Sequence, residues 1–139
     1  MKIGGKVAVV TGGASGIGQA VVNAFIERGG QVAIFDLNEA AGQSMAKSLG
    51  ANAIFEKVNV ADEPTVIAAI AKALDSLGAI HVCVNCAGIG SAHKTFGRDG
   101  PFPLAAWNKT IAVNLTGSFN TARLCAEQMV SPARPASSA

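Results

Sequence analysis

The chain has 139 residues, of which 50% are hydrophobic and 14% are charged, and its formal net charge is +2 at pH 7. This length suits one domain with a real hydrophobic core. The positive charges form no basic run, so nucleic acid and acidic membrane surfaces are not favoured as partners. No apolar segment approaches the roughly 20 residues of a membrane span, and residues 1–6 lack the apolar core of a signal peptide. We therefore expect a cytoplasmic location.

Apolar runs and amphipathic segments alternate along the chain. The pattern predicts strands over residues 6–11, 31–36, 53–58 and 80–85, helices over residues 16–28, 39–49, 62–77 and 103–130, and a polar loop over residues 91–100. Asp62 is the predicted N-cap of the third helix. The first helix is predicted to carry on its apolar face Ile17, Val21, Ala24 and Phe25.

Unbroken apolar strands that alternate with amphipathic helices are typical of a parallel sheet covered on both faces. Right-handed crossovers then give an α/β fold, a doubly wound Rossmann-type sheet with strand order 3-2-1-4. Strands one and four diverge at the switch point of this order. The crevice at that point is where such sheets bind ligands.

The first strand runs directly into a glycine-rich turn, in the segment VAVVTGGASGIG. Gly12, Gly16 and Gly18 tolerate positive φ and let the backbone come close to a pyrophosphate. The helix that opens at Ser15 to Ile17 offers N–H groups and the positive end of its dipole to an anion. Taken alone, the triplet also suits an ordinary strand-to-helix connection.

The second strand ends in Asp36. A carboxylate at the carboxyl end of a strand can accept hydrogen bonds from an adenosine ribose. It would repel a 2′-phosphate, and the adjacent Leu37 and Asn38 supply no basic group to bind one. Strand, turn, helix, strand and acid in this order predict a dinucleotide site within residues 1–130, with NAD favoured over NADP as the cofactor.

Both a functional and a structural interpretation are open for three residues, Asn59, Val60 and Asn114. Asn59 and Val60 end the third strand, where an amide and a backbone N–H could bind an adenine edge, although a simple strand-ending turn suits them equally. Asn114 lies inside the last predicted helix, where asparagine is a mediocre helix former. It therefore faces solvent, bends the helix or serves a site.

The cysteines and histidines give little indication of chemistry. Cys83 and Cys86 form a Cys-x-x-Cys pair, but Cys83 lies within an apolar strand and not at a helix N-terminus that would lower its pKa. Redox function and a metal site are therefore not favoured. Cys125 is interpreted as a small buried hydrophobe, and His81 and His93 as structural or exposed residues.

The motifs TGGASGIG, Asp36, NCAG over residues 85–88 and VNLTGSFN over residues 113–120 together resemble the classical short-chain dehydrogenases/reductases. Within that family the type-2 3-hydroxyacyl-CoA dehydrogenase branch is the one that the chain resembles most, in VNCAGI over residues 84–89, Lys94 and Thr95, and NLTGSFNTARL over residues 114–124. The resemblance implies NAD as cofactor, hydride transfer to or from a secondary alcohol or 3-hydroxyacyl-CoA, and assembly into homo-oligomers.

The resemblance also implies roles for single residues. The cofactor-binding set would be Gly12, Ser15, Gly16, Ile17 and Gly18 at the pyrophosphate, Asp36 and Leu37 at the adenosine ribose, Asn59 and Val60 at the adenine, and Cys86, Ala87 and Gly88 at the ribose side of the cofactor. Asn114 would be the helix-bending catalytic asparagine, whose backbone carbonyl holds a water in a proton relay. The family usually has aspartate where Asn59 stands, so we expect weaker adenine binding.

The chain departs from the family pattern at its catalytic residues. Family members use a serine, a tyrosine and a lysine that follow the stretch matched here, and this chain contains no tyrosine. Residues 131–139, SPARPASSA, are expected to form a disordered tail. We therefore expect an N-terminal portion, truncated relative to the full family domain and inactive by itself, because the proton-transfer group is missing.

Two interpretations stay open at this point. The chain is either the NAD-binding portion of an oxidoreductase or a non-catalytic NAD-binding module that self-associates. A third alternative, in which another chain supplies the missing strands and the tyrosine, has no specific support in the sequence.

Overall fold

The predicted alternation of strands and helices is confirmed by the computed structural model, which describes residues 1–131. The strands are β1 (Val7–Thr11), β2 (Gln31–Asp36), β3 (Ala53–Lys57), β4 (Val82–Asn85), β5 (Phe96–Gly97) and β6 (Gly100–Pro101). The helices are α1 (Gly16–Glu27), α2 (Glu39–Leu49), α3 (Glu63–Leu77), α4 (Leu104–Ile111) and α5 (Gly117–Val130), with a 3₁₀ turn at Gly50–Asn52 and a π-helical turn at Ala112–Thr116. The tail expected over residues 131–139 lies, except for Ser131, outside the described residues.

The main sheet has four strands in the order β3-β2-β1-β4, all parallel, as the crossover argument predicts. β1 lies inside the sheet, where Val9 is in register with Ala33 of β2 and Cys83 of β4. Helices cover both faces, so the Rossmann-like α/β fold is confirmed. β1 and β4 are neighbours in space although β2 and β3 lie between them in the chain, which places the switch point at their carboxyl ends.

The core consists of two apolar layers, one on each face of the sheet. Val9 of β1 packs with Ile70 and the other inner residues of α3 and α5. Val10 points the opposite way and packs with Phe25 and the inner residues of α1 and α2. Full burial of each valine contributes about 1.5–3 kcal/mol, so β1 is held from both sides. The turn that follows β1 therefore starts from a fixed strand.

The predicted apolar face of α1 is wrong for one residue. Ile17 is 79% exposed, whereas the helix buries Gly18, Val22 and Phe25. The other two predicted residues are half-buried. The start of α1 is exposed from Ser15 to Ile17, and the Ile17 side chain belongs to neither apolar layer.

β4 begins two residues later than predicted, and His81 explains why. The His81 N–H donates to the Val7 carbonyl at 2.9 Å, and its ring Nδ1 accepts from the Val7 N–H at 3.0 Å. A side chain thus replaces one backbone partner of the strand ladder. His81 is exposed as well as structural, and His93 is exposed and meets the ring of Phe102 edge-on, so both interpretations of the histidines are confirmed.

Three local predictions need correction. The helix predicted over residues 103–130 is two helices joined by the π-helical turn. The predicted polar loop contains the hairpin of β5 and β6, whose turn closes at Gly100 with φ +105°. Asp62 does occupy the N-cap position of α3, but its side chain caps no N–H group among the described residues.

Among the described helices, none combines the length and apolar character of a membrane span.

Candidate functional site at the carboxyl ends of β1 and β4

The turn after β1 and the segment after β4 lie against each other. Gly12 has φ +62°, and a Cβ on this residue would lie 2.8 Å from the Ala87 nitrogen. The nearest atoms belong to the backbone of Cys86 and Ala87, which cannot move aside as a flexible side chain could, so a side chain at Gly12 has no room. The close approach of residues 86–87 is therefore one reason why this position needs glycine, and the predicted approach of a pyrophosphate stays a prediction.

The other two glycines of the triplet act differently from each other. A Cβ at Gly18 would overlap the carbonyl oxygen of Gly12, so Gly18 lets α1 pack close to the turn. Gly16 has φ +53°, and a Cβ there would meet no described atom within 4 Å. Ser15, Gly16 and Ile17 are all exposed. The outer side of the turn is therefore an open cradle at the start of α1, where the first N–H groups of a helix have no partner within the helix.

Thr11 is a site residue that the sequence interpretation missed. Its side chain is buried at the end of β1, and its hydroxyl oxygen accepts from the N–H groups of Cys86 at 3.2 Å and Ala87 at 3.1 Å. The Cys86 N–H also donates to the Thr11 carbonyl at 3.1 Å. The sequence feature that could have identified Thr11 is that it is the one polar residue of the strand VAVVT.

Asp36 reaches the glycine-rich turn, as its position at the end of β2 predicts. One carboxylate oxygen accepts from the Ala14 N–H at 3.0 Å, and the other accepts from the Asn38 N–H at 2.9 Å. The carboxylate is half-buried, and each oxygen keeps acceptor capacity beyond these bonds. Leu37 follows it with an exposed side chain.

Asn59 and Val60 form the strand-ending turn that was one of their two interpretations. The Asn59 Oδ1 accepts from the Ala61 N–H at 3.1 Å, and the Val60 carbonyl accepts from the Asn120 Nδ2 at 3.2 Å. The buried Val60 side chain lies so close to Gly117 that a Cβ on this glycine would be 3.0 Å from the valine Cβ. α5 therefore fixes the position of the segment after β3.

Asn114 lies in the π-helical turn and holds the segment that follows β4. Its Oδ1 accepts from the Ile89 N–H and its Nδ2 donates to the Ile89 carbonyl, both at 2.8 Å. The Asn114 backbone carbonyl accepts from the Ser118 hydroxyl at 2.9 Å. A Cβ at Gly88 would be 3.4 Å from the Asn114 Oδ1. Ile89 was missed in the sequence because its role is carried entirely by its backbone.

The arrangement suits a ligand with a diphosphate and a ribose. The exposed start of α1 can accept an anion, and the Asp36 carboxylate beside it can accept hydroxyl donors. Residues 86–89 are held by Thr11 on one side and Asn114 on the other, which gives the crevice a fixed second wall. Within residues 1–131 no cluster of three metal-ligating side chains is found.

Comparisons with known proteins agree with this fold. The sequence model of the short chain dehydrogenase family matches residues 6–136. An "Uncharacterized oxidoreductase" of Thermotoga maritima is 41% identical over 129 residues, which are 91% of this chain and 49% of that protein. Proteins named 3-hydroxyacyl-CoA dehydrogenase type-2 are 39% identical in Homo sapiens and 41% identical in Rattus norvegicus, each over 127 residues, which are 90% of this chain and 49% of the relative. The chain thus spans about half the length of these curated relatives.

Proposed function

Because the chain belongs to the short-chain dehydrogenase family, we propose that residues 1–130 are the dinucleotide-binding portion of an oxidoreductase and that the dinucleotide is NAD. The observation that carries this proposal is the bond between the Asp36 carboxylate and the Ala14 N–H. It fixes an acid beside the open cradle of Ser15, Gly16 and Ile17, which is the pairing that a ribose next to a diphosphate requires.

The preference for NAD over NADP rests on the same carboxylate. Its negative charge would face any 2′-phosphate, and the residues that it contacts, Ala14 and Asn38, carry no positive charge. An NADP site would need an arginine or lysine at this place. We therefore assign the adenosine ribose to Asp36, with the exposed Leu37 beside it.

The remaining cofactor contacts are assigned as the resemblance to the family implies. We assign the diphosphate to the cradle, with Gly12 and Gly18 shaping the turn, and the adenine to Asn59 and Val60. The ribose next to the nicotinamide would meet Cys86, Ala87 and Gly88, the segment that Thr11 positions. When bound, the nicotinamide supplies the acceptor or donor of a hydride.

We propose a secondary alcohol or a 3-hydroxyacyl-CoA as the substrate of the oxidoreductase. The similarity to proteins named 3-hydroxyacyl-CoA dehydrogenase type-2 supports this substrate class. Asn114 is our candidate for a catalytic role because its turn lies against residues 88–89, at the crevice wall. We expect the chain by itself to be inactive, since it has no tyrosine to move the proton. A cytoplasmic location stays a prediction from the sequence.

A titration of the chain with NAD and with NADP, followed by calorimetry, tests the cofactor. We expect saturable NAD binding and NADP binding at least tenfold weaker. Asp36→Ala should weaken NAD binding about 10- to 100-fold, because a hydrogen bond to a charged acceptor contributes about 1.5–3 kcal/mol. The same variant should also reduce the ratio of NAD affinity to NADP affinity. Asp75→Ala, which removes an exposed aspartate of α3, is the matched control.

Two results would contradict the proposal. The first is no NAD binding at millimolar cofactor, and the second is an Asp36→Ala variant that binds NAD as wild type does. A hydride-transfer assay with a 3-hydroxyacyl-CoA, run beside the titration, separates binding from turnover. Binding without turnover is the expected outcome for this chain.

A second candidate function is a self-associating NAD-binding module. Its support is a set of large apolar side chains that α4, the π-helical turn and α5 leave exposed, namely Leu104, Trp107, Leu115 and Phe119. A groove of about 550 Å³ lies beside Phe119, between the start of α3 and α5. Exposed apolar patches mark interaction sites, and the occupant that we propose for this helical segment is a second copy of the chain.

A further inference from the structure

Two cysteines lie in the same apolar layer between the sheet and the helices that cover it. Cys83 lies in the middle of β4 and Cys125 lies in α5, and Cys83 packs against the apolar layer that contains the fully buried Cys125. β4 and α5 contact each other directly in this layer, which places the two cysteines on facing elements. A disulfide between them would join an edge strand to the helix that covers it.

The neighbouring Cys86 is not an equivalent partner for Cys83. Successive side chains of a strand point to opposite faces, and positions 83 and 86 are three residues apart. Cys83 packs in the layer of α3 and α5, whereas Cys86 packs in the layer of α1 and α2. The sheet separates the two sulfur atoms, so the Cys-x-x-Cys spacing does not bring them together.

β4 is the strand that can make the small adjustment a disulfide needs. Two free thiols on facing elements must approach each other to reach an S–S bond of about 2.05 Å. Among the described residues, β4 has a ladder with β1 only, and its residues Val82, Cys83 and Val84 are half-buried. The strand can therefore shift toward α5 without breaking a second ladder, and a small oxidant can reach Cys83.

The two sulfurs differ in pKa and therefore in their expected roles during oxidation. The neighbouring Cys125 thiol lowers the pKa of Cys83. The neighbouring Cys83 sulfur, together with burial, raises the pKa of Cys125. Since the thiolate is the nucleophile, Cys83 is the sulfur that an oxidant meets first, and Cys125 is the resolving thiol.

We propose that Cys83 and Cys125 form a reversible disulfide when the chain is exposed to hydrogen peroxide. The Cys83 thiolate attacks the peroxide, an S–O bond forms, the O–O bond breaks, and after protonation one water leaves. The Cys125 sulfur then attacks the Cys83 sulfenic acid, so that the S–S bond forms, the S–O bond breaks and a second water leaves with the thiol proton. Two electrons pass from the thiols to peroxide, and a dithiol reductant returns them.

The test is a peptide map of the full chain after treatment with peroxide and alkylation under denaturing conditions. The chain has three cysteines. We expect the alkylatable thiols to fall from three to one, a mass loss of two hydrogens, and full recovery after dithiothreitol. Trypsin leaves Cys83 and Cys86 together in residues 73–94, so fragment ions must locate the linked sulfur. A Cys83–Cys86 link, or oxidation of each sulfur without any link, would overturn the proposal.

Single serine variants give the matched comparison. Cys83→Ser and Cys125→Ser should abolish the mass loss, whereas Cys86→Ser should keep it. Retention of the link in Cys83→Ser, or its loss in Cys86→Ser, would contradict the assignment. Because Cys125 is buried, circular dichroism must show that its variant is folded, and the wild-type peptide map decides the question whether or not that variant folds.

Discussion

Thr11 shows how one hydroxyl can define a site. It is a buried polar side chain in an otherwise apolar strand, and it accepts hydrogen bonds from two consecutive N–H groups, those of Cys86 and Ala87. The end of β1 and the segment after β4 are therefore one hydrogen-bonded unit. The position of the residues proposed to meet the cofactor depends on this contact.

Thr11→Val should lower the free energy of unfolding by about 1–3 kcal/mol, because the part-buried Ala87 N–H loses its acceptor. The Cys86 N–H keeps the Thr11 carbonyl as a partner. Urea denaturation measures the change. Thr11→Ser keeps the hydroxyl and should lose less stability than the valine variant. A valine variant as stable as wild type would show that the two bonds contribute nothing.

Gly12→Ala should destabilise the chain more than Gly5→Ala. Both glycines have positive φ, +62° and +73°, so alanine at either site costs about 1–2 kcal/mol of backbone strain. Only Gly12 also faces backbone within contact distance, whereas a Cβ at Gly5 meets no described atom within 4 Å. Overpacking adds about 1–3 kcal/mol at Gly12. Equal midpoints of urea denaturation for the two variants would contradict this account.

At the scale of elements, the π-helical turn is the feature that sets the site. It interrupts the long helical segment between α4 and α5 and carries Asn114, whose amide matches both backbone groups of Ile89. Turns of this kind occur frequently at functional sites. Here the turn ties the segment after β4 to the helix layer.

Asn114→Ala should reduce the free energy of unfolding by about 1–3 kcal/mol, since two hydrogen bonds of about 0.5–1.5 kcal/mol each are lost. Asn108→Ala, at an exposed position of α4, is the control, because it makes the same change in helix propensity. The two variants are compared by urea denaturation. If Asn114→Ala is no less stable than Asn108→Ala, the bonds to Ile89 do not hold the segment.

The elements were largely predictable, whereas the contacts that shape the site were not. The apolar run that ends in Asp36 and the helix that ends before Gly50 have the predicted bounds, because local pattern and turn residues determine them. The pairing of Thr11 with Ala87 joins residues 76 positions apart, and that of Asn114 with Ile89 joins residues 25 positions apart. Local pattern contains no information on such partners. The exposure of Ile17 was missed for the same reason, since burial depends on which other elements pack against the start of the helix.

At the scale of the whole molecule, the sheet has helices on both faces but the outer side of α4 and α5 is apolar and exposed. Leu115 is 64% exposed and Phe119 is 68% exposed. Most of the surface of these side chains stays in contact with water in the fold that the described residues form. Their burial against a second copy would contribute to association in proportion to the apolar area removed from water.

Sedimentation should therefore show an oligomer that forms as the concentration of the chain rises. Leu115→Glu and Phe119→Glu should each weaken association at least tenfold, because each places a charge in the buried interface, with little loss of unfolding free energy. Ile67→Glu is the matched control, since Ile67 is 48% exposed on α3. A wild-type chain that stays monomeric, or an Ile67→Glu variant with the same effect, would contradict the proposed interface.

Among residues 1–131, β4 pairs with β1 alone, and this has a consequence for the crevice. Within this part of the chain, local opening of β4 interrupts one ladder, whereas opening of β1 would interrupt two. Spontaneous fluctuations therefore reach the crevice first through its β4 wall. A dinucleotide that contacts both the turn after β1 and residues 86–88 would bind the closed state only, and would by mass action suppress the motion of the wall that it touches.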